Sequence, residues 1–97
     1  MLNIGVLVSG RGSNLQSIID KIDNRELNCN LKLVISDKED AKALKRAENH
    51  GVKNRFIKPA KFANKKEYEK KLIEVLEVEE VELVVMAGFM RILSSFF

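Results

Sequence analysis

The chain has 97 residues, which is enough for one small domain or for part of a larger one. Hydrophobic residues make up 45% of it, which excludes a disordered protein, and the single cysteine, Cys29, excludes an intrachain disulfide. The 17 basic residues are interleaved with 14 acidic ones, which favours solvated helix faces over a nucleic-acid-binding surface. Because no signal peptide or membrane-spanning run can be read from the sequence, we expect a cytoplasmic protein without nucleic-acid or membrane partners.

The first part of the chain predicts a strand followed by a helix. Residues 2–8 form an apolar run rich in β-branched residues, and the run ends at the turn signal Ser9-Gly10. Apolar residues then recur at the i, i+3, i+4, i+7 spacing of one helix face, and these residues are Leu15, Ile18, Ile19 and Ile22. Ser13 or Asn14 can cap the start of this helix with a side-chain oxygen.

A second strand and a short helix follow. Residues 31–35 are apolar and predict the strand. Asp40 is the expected cap of a helix that carries Ala41, Leu44 and Ala47, and Gly51 suits the left-handed position after it.

The last part predicts a weak strand, a longer helix and a fourth strand. Residues 52–57 form the weak strand, and Asn64 is positioned to cap the helix. The apolar face of that helix consists of Tyr68, Leu72, Val75 and Leu76, and the solvated remainder includes Glu67, Glu69, Glu74 and Glu77. Residues 81–86 form the fourth strand.

The predicted order is therefore β-α-β-α-β-α-β, which indicates an α/β fold. Strands that alternate with helices pair in parallel through right-handed crossovers. We expect a Rossmann-like open parallel sheet over residues 1–97, with no internal domain boundary and with ligands at the carboxyl ends of the strands.

The loop at residues 9–14 predicts a phosphate site. Gly10 and Gly12 lack a Cβ, so the backbone can approach a ligand closely. The amides of Gly12, Ser13 and Asn14 would lie at the N-terminus of a helix, where unpaired N–H groups and the helix dipole favour an anion. The alternative is a tight turn that binds nothing.

A dinucleotide-binding module remains a rival reading of the same loop. Gly10 and Gly12 match half of the dinucleotide pattern, but Leu15 replaces the third glycine. Asp37, at the end of the second strand, stands where an acidic residue can hold a ribose hydroxyl.

A second loop, at residues 87–93, contains a glycine followed by large apolar residues and an arginine. Such a loop lines a pocket for a flat ligand or belongs to the core. Elsewhere, His50 is expected to cap a helix on the side away from the ligand loops, and Cys29 is expected to be a packing residue. Lysines 58, 61, 65 and 66 gather locally, and we favour surface charge for them.

The two loops together resemble one family. The stretch from Ile4 to Gln16, including Ser9-Gly10-Arg11-Gly12-Ser13-Asn14, is similar to the opening of phosphoribosylglycinamide formyltransferases. Residues 34–38 and 87–94 are similar to that family's second strand and to its signature after the fourth strand. The resemblance runs through the whole chain in order.

The resemblance implies formyl transfer from 10-formyltetrahydrofolate, the co-substrate, to glycinamide ribonucleotide in purine biosynthesis. It implies a substrate site that consists of Gly12, Ser13, Asn14, Gly88 and Met90. It implies a folate site that consists of Lys65, Met90, Arg91, Ile92 and Leu93. The family often has arginine at the position of Lys65, and lysine keeps the charge without the planar fork.

The family's catalytic Asn-x-His motif and later aspartate are not found in this sequence. We therefore expect the N-terminal, phosphate-binding half of a formyltransferase domain, inactive by itself, whose fourth strand self-associates. Two alternatives remain. The chain is a dinucleotide-binding module, or it is a regulatory domain that binds a partner through its basic face. A relative that formylates a different amine would share the folate-side loop.

Overall fold

Four strands and three helices make up the fold in the computed structural model, which describes residues 2–8, 13–39 and 41–86. The strands are β1 (Leu2–Val8), β2 (Cys29–Ser36), β3 (Asn54–Phe56) and β4 (Leu83–Met86). The helices are α1 (Ser13–Asp23), α2 (Lys42–Asn49) and α3 (Lys65–Val78), and a 3-10 turn, Pro59–Lys61, precedes α3. The predicted order of elements is confirmed, with the 3-10 turn added.

The strands form one sheet in the order β3-β2-β1-β4, and every pair is parallel. The α/β, Rossmann-like class is therefore confirmed. Along the chain, β1, β2 and β3 step toward one edge, and the connection from β3 then crosses to the other side of β1. The direction of winding thus reverses between β1 and β4.

The helices cover both faces of the sheet. Side chains of β1 alternate between the two faces, as a strand requires. Ile4, Val6 and Val8 pack with α1 and α2, whereas Leu7 packs with α3. Because Val6, Leu7 and Val8 are fully buried, β1 is the centre of a three-layer core.

Gly5 marks the closest approach between β1 and α3. A Cβ added there would lie 2.7 Å from Cδ2 of Leu76 and 3.2 Å from both γ-carbons of Val81. The register with β2 shifts at the same place, since Ile4 pairs with Leu31 and Gly5 with Leu33. The glycine therefore lets α3 pack directly on the central strand.

Two predicted helix ends are confirmed. The Asn64 side chain accepts a hydrogen bond of 2.9 Å from the backbone N–H of Glu67 at the start of α3. Gly51, after α2 and the cap residue His50, has a φ of 71°, which glycine adopts without strain. No helix in the described ranges has the length and apolar character needed to cross a membrane.

Two other predicted helix caps differ from the helix starts in the structure. The residue before α2 is Ala41, so the cap predicted at Asp40 is wrong, and Asp40 itself lies outside the described residues. Ala41 is buried and extended, with φ −62° and ψ 128°, so the helix starts one residue later than expected. Ser13 and Asn14 are the first two residues of α1 rather than a cap that precedes it.

Candidate functional site

The carboxyl ends of all four strands meet at one edge of the sheet. In the parallel register, Val8 of β1 pairs with Ser36 of β2, and Ser36 pairs with Phe56 of β3. On the other side of β1, Leu7 pairs with Met86, the last residue of β4. Ligands of open parallel sheets bind at this edge, where the winding reverses. The candidate site is therefore between the ends of β1 and β4.

Both loops singled out from the sequence follow these two adjacent strands. Residues 9–12 follow β1, and residues 87–93 follow β4. Six of the predicted site residues lie outside the described residues, and they are Gly12, Gly88, Met90, Arg91, Ile92 and Leu93. Their predicted roles stay predictions. The register shows that the segments containing them leave from neighbouring strands.

Ser13 and Asn14 begin α1 at the carboxyl edge. The first four N–H groups of a helix have no partner within it, and the helix dipole adds partial positive charge there. Asn14 is exposed, whereas Leu15 beside it is fully buried and packs against the sheet. The buried Leu15 thus holds the start of α1 against the sheet, and the free N–H groups there can donate hydrogen bonds to an anion.

A polar cluster fixes the second turn of α1 against α2. Gln16 Oε1 accepts a hydrogen bond of 3.2 Å from Arg46 Nη1, and Gln16 Nε2 donates to Asp20 Oδ1 at 2.9 Å. His50 is the cap residue of α2, as predicted, but its Nε2 also lies 3.4 Å from Gln16 Nε2. The histidine is thus nearer to α1 than the sequence suggested, and it contacts the helix that begins at the candidate site.

Lys65 is the first residue of α3 and is exposed. Tyr68 holds this end of the helix at the carboxyl edge, because its hydroxyl donates a 3.2 Å hydrogen bond to the carbonyl of Ile57, just beyond β3. The Tyr68 ring also meets Phe62 edge-on, with 5.5 Å between centroids. The structure therefore places Lys65 at the same edge as Asn14, on the opposite face of the sheet.

Glu69 is buried, contrary to the prediction from the sequence. The charge pattern places it on the solvated part of α3, but its side chain is fully buried, one residue beyond Tyr68. Position 69 lies three residues before Leu72 and seven before Leu76, so helical periodicity could have placed it on their side. A buried carboxylate is costly unless it is paired, and Glu69 does interact within the protein. It is the one buried acid on the described part of α3 and lies toward the carboxyl edge.

Asp37, the residue on which the dinucleotide reading depends, follows β2 directly. It is 8% exposed and interacts within the protein. Its neighbour Ser36 is fully buried, and the Ser36 hydroxyl accepts a 3.0 Å hydrogen bond from the backbone N–H of Lys38. Asp37 is thus part of a folded turn, and its carboxylate is not open to a ligand. This is evidence against the hypothesis of a dinucleotide-binding module.

The described residues also form two surface depressions. One is next to α2 and the start of β3, and the other is next to the end of α1 and includes the half-buried Cys29. Neither includes Asn14 or Lys65. The described ranges hold no group of three or more acidic, histidine or cysteine side chains that could bind a metal.

The sequence matches a known protein family over nearly its whole length. The family model described as "Formyl transferase" matches residues 2–97. The chain belongs to the formyl transferase family. It is 40% identical over 96 residues to phosphoribosylglycinamide formyltransferase of Escherichia coli, covering 99% of this chain and 45% of that protein. The Bacillus subtilis phosphoribosylglycinamide formyltransferase is 33% identical, with coverage of 98% of this chain and 49% of that protein.

A solved structure shows the same fold. Glycinamide ribonucleotide transformylase 1 from Symbiobacterium toebii superimposes with a TM-score of 0.95 at 38% identity, covering 99% of this chain and 45% of that one. The resemblance to phosphoribosylglycinamide formyltransferases, which the two loops indicated, is therefore confirmed. The chain spans about half the length of the curated relatives it matches.

Proposed function

We propose that this chain is the substrate-phosphate and folate-side half of a phosphoribosylglycinamide formyltransferase. In the complete reaction, the amine of glycinamide ribonucleotide attacks the formyl carbon of 10-formyltetrahydrofolate. A new N–C bond forms, the bond from N10 to the formyl carbon breaks, and a proton passes from the amine to N10. The chain's own residues bind and orient the two reactants.

One observation carries this proposal. Leu7 and Met86 are paired, so the two segments that carry the family motifs leave from adjacent strand ends at the point where the winding reverses. Relatives that match nearly the whole of this chain bear the name of this enzyme. A phosphate and a folate are both expected at that edge.

The proposed substrate site uses the start of α1. The amides of Gly12, Ser13 and Asn14 donate to the phosphate, and the helix dipole adds to the attraction. Gly88 and Met90 border the rest of the ribonucleotide. This proposal is supported by the exposure of Asn14 and by the burial of Leu15, which anchors the helix.

The proposed folate site combines Lys65 with the segment after β4. Met90, Arg91, Ile92 and Leu93 border the pteridine, partly through backbone groups. Lys65, exposed at the first residue of α3, lies near the tail of the folate. An ammonium attracts a carboxylate as a point charge, without the two-pronged geometry of an arginine.

We propose that residues 1–97 bind the reactants and do not include the catalytic groups. The tetrahedral intermediate carries an oxyanion that needs donors, and the amine needs a group that accepts its proton. No Asn-x-His motif occurs among the 97 residues. We propose that residues 1–97 bind substrates in the cytoplasm as part of a longer domain, and that this piece alone transfers no formyl group.

Calorimetry tests the phosphate assignment. Glycinamide ribonucleotide and its dephosphorylated riboside are titrated separately into the chain. We expect the ribonucleotide to bind about tenfold more tightly or better, since charge-assisted hydrogen bonds of the phosphate contribute roughly 1.5 to 3 kcal/mol each. Equal affinities, or binding of neither ligand to the folded chain, would contradict the assignment. A formyl-transfer assay with both substrates should give no turnover above a buffer control.

A further inference from the structure

The side chain of Gln16 joins α1 to α2. Its Oε1 accepts a 3.2 Å hydrogen bond from Nη1 of Arg46, in the last turn of α2. Its Nε2 donates to Oδ1 of Asp20 at 2.9 Å and lies 3.4 Å from Nε2 of His50, the cap residue of α2. One amide on α1 is therefore held by two side chains of the neighbouring helix and its cap, and by one side chain of its own helix.

The partners of Gln16 require one orientation of its amide. A guanidinium only donates hydrogen bonds and a carboxylate only accepts them, so the amide oxygen faces Arg46 and the amide nitrogen faces Asp20. Nε2 of His50 then faces an N–H group, and it accepts from that group when the ring proton is on Nδ1. The agreement of the three partners fixes the Gln16 side chain between the two helices.

This contact lies in the part of α1 that the proposed phosphate site uses. Because α1 begins at Ser13, the four N–H groups without a helical partner belong to Ser13, Asn14, Leu15 and Gln16. Leu15 is fully buried and packs on the sheet. Gln16, about 100° further around the helix, is half-buried and contacts α2. The two side chains thus hold the start of α1 from two directions.

We propose that Arg46, acting through Gln16, is a positioning residue for the phosphate of the ribonucleotide. This inference rests on the proposed function, which places that phosphate at the start of α1. Hydrogen bonds weaken steeply when donor and acceptor are misaligned, so free amides bind an anion more tightly when the backbone that carries them is already in place. Without the contact to α2, the ligand itself would have to order the start of α1, and its phosphate would contribute less to affinity.

A direct attraction between Arg46 and the phosphate is the alternative. Arg46 is half-buried, its Nη1 donates to Gln16, and it has a further interaction within the protein. These contacts commit the guanidinium to the fold, which favours positioning over direct contact. A charge that acted directly would act with or without Gln16, and this difference separates the two explanations.

NMR titrations with glycinamide ribonucleotide and with its dephosphorylated riboside test the inference, because they follow weak and tight binding alike. The ratio of the two affinities reports the contribution of the phosphate, whereas a general loss of structure lowers both affinities. Gln16→Met keeps the length of the side chain and its neutrality but removes the amide. We expect the ratio to fall about threefold to tenfold, the factor that one hydrogen bond contributes, with the riboside affinity unchanged.

A double-mutant cycle shows whether Arg46 acts through Gln16. Arg46→Met should lower the ratio in the wild type and should have little further effect in the Gln16→Met background. Arg46→Lys keeps one donor toward Gln16 and should retain most of the ratio. The control is Lys53→Met, which removes an exposed 3.1 Å pair with Glu79 between the residue before β3 and the end of α3 and should leave the ratio unchanged.

Thermal unfolding checks that each variant is folded. A folded Gln16→Met that keeps the wild-type ratio overturns the inference and leaves the proposed function standing. An equal loss for Arg46→Met in both backgrounds also overturns it, because the charge then acts without Gln16. Equal binding of both ligands to the wild type, or binding of neither, overturns the inference together with the phosphate part of the proposed function. If Gln16→Met does not fold, Arg46→Met is compared with Arg46→Lys, and equal ratios for these two overturn the inference.

Discussion

Leu7 of β1 lies opposite Met86 of β4 in a parallel register. This pairing brings together two parts of the chain that are 79 positions apart and end at the same edge of the sheet. Residues 9–12 and 87–93, which carry the family motifs, therefore leave from neighbouring strands. The register of the central strand therefore supports the proposal of a site composed of both segments.

The contact between Gly5 and Leu76 should limit what β1 tolerates. In Gly5→Ala, the new methyl group would lie 2.7 Å from Leu76 Cδ2, so we expect a loss of about 1 to 3 kcal/mol in the free energy of unfolding. Urea denaturation of Gly5→Ala and of the wild type measures this loss. In a Leu76→Val background, which lacks the δ-carbons, the same change should cost less. If the cost is equal in both backgrounds, crowding by Leu76 is not the cause.

Glu69 should be intolerant of charge reversal. Glu69→Lys would place an ammonium in a fully buried position, and we expect a loss of roughly 3 kcal/mol or more in the free energy of unfolding. Glu74→Lys is the control, because Glu74 is exposed and makes only a surface pair with Lys71. It should change stability by less than about 0.5 kcal/mol.

Thermal unfolding compares the two charge reversals. If Glu69→Lys does not fold, Glu69→Gln keeps the size of the side chain and should still cost about 1 to 3 kcal/mol. Equal stability of Glu69→Lys and Glu74→Lys would mean that the carboxylate at position 69 is not buried in solution.

The cap of α3 should contribute measurably to stability. Asn64→Ala removes the acceptor for the Glu67 N–H, and we expect a loss of about 1 kcal/mol. Asn64→Ser retains a capping oxygen and should be nearly neutral. Chemical denaturation of both variants checks this, and an alanine variant as stable as the serine variant would exclude a role for the cap.

Self-association through β4 is a further prediction. In the described part of the chain β4 pairs with β1 alone, and Leu83 and Met86 are 48% and 58% exposed. We expect sedimentation profiles of the chain to depend on concentration, because an apolar strand edge pairs readily with another copy. Leu83→Lys should reduce the dependence. Leu27→Lys, at an exposed leucine in the turn between α1 and β2, should not.

Much of the fold could be predicted from local patterns. The apolar run of β1, the stripe of α1 and the Asn64 cap each depend on neighbouring residues, and all three are confirmed. The parallel order followed from the alternation of strands and helices. The loop motifs also indicated the family, because they combine two distant segments in the correct order.

Other features depend on tertiary contacts and could not be predicted in this way. Glu69 looks like a member of a solvated charge series until α3 packs on the sheet and buries it. The contact between His50 and Gln16 requires α1 and α2 to lie side by side. The residue before α2 differs from the predicted one because Ala41 is buried in an extended conformation, which cannot be predicted from the local composition.

An amide-resolved NMR titration with glycinamide ribonucleotide tests whether the start of α1 holds the substrate phosphate. We expect shifts concentrated at the amides of Ser13 and Asn14, with much smaller shifts when the dephosphorylated riboside is used. The amides of Lys21 and Lys32, remote from the carboxyl edge, should stay unchanged and serve as internal controls. A well-dispersed spectrum in which the ribonucleotide leaves Ser13 and Asn14 unshifted would contradict the claim that the start of α1 holds the substrate phosphate.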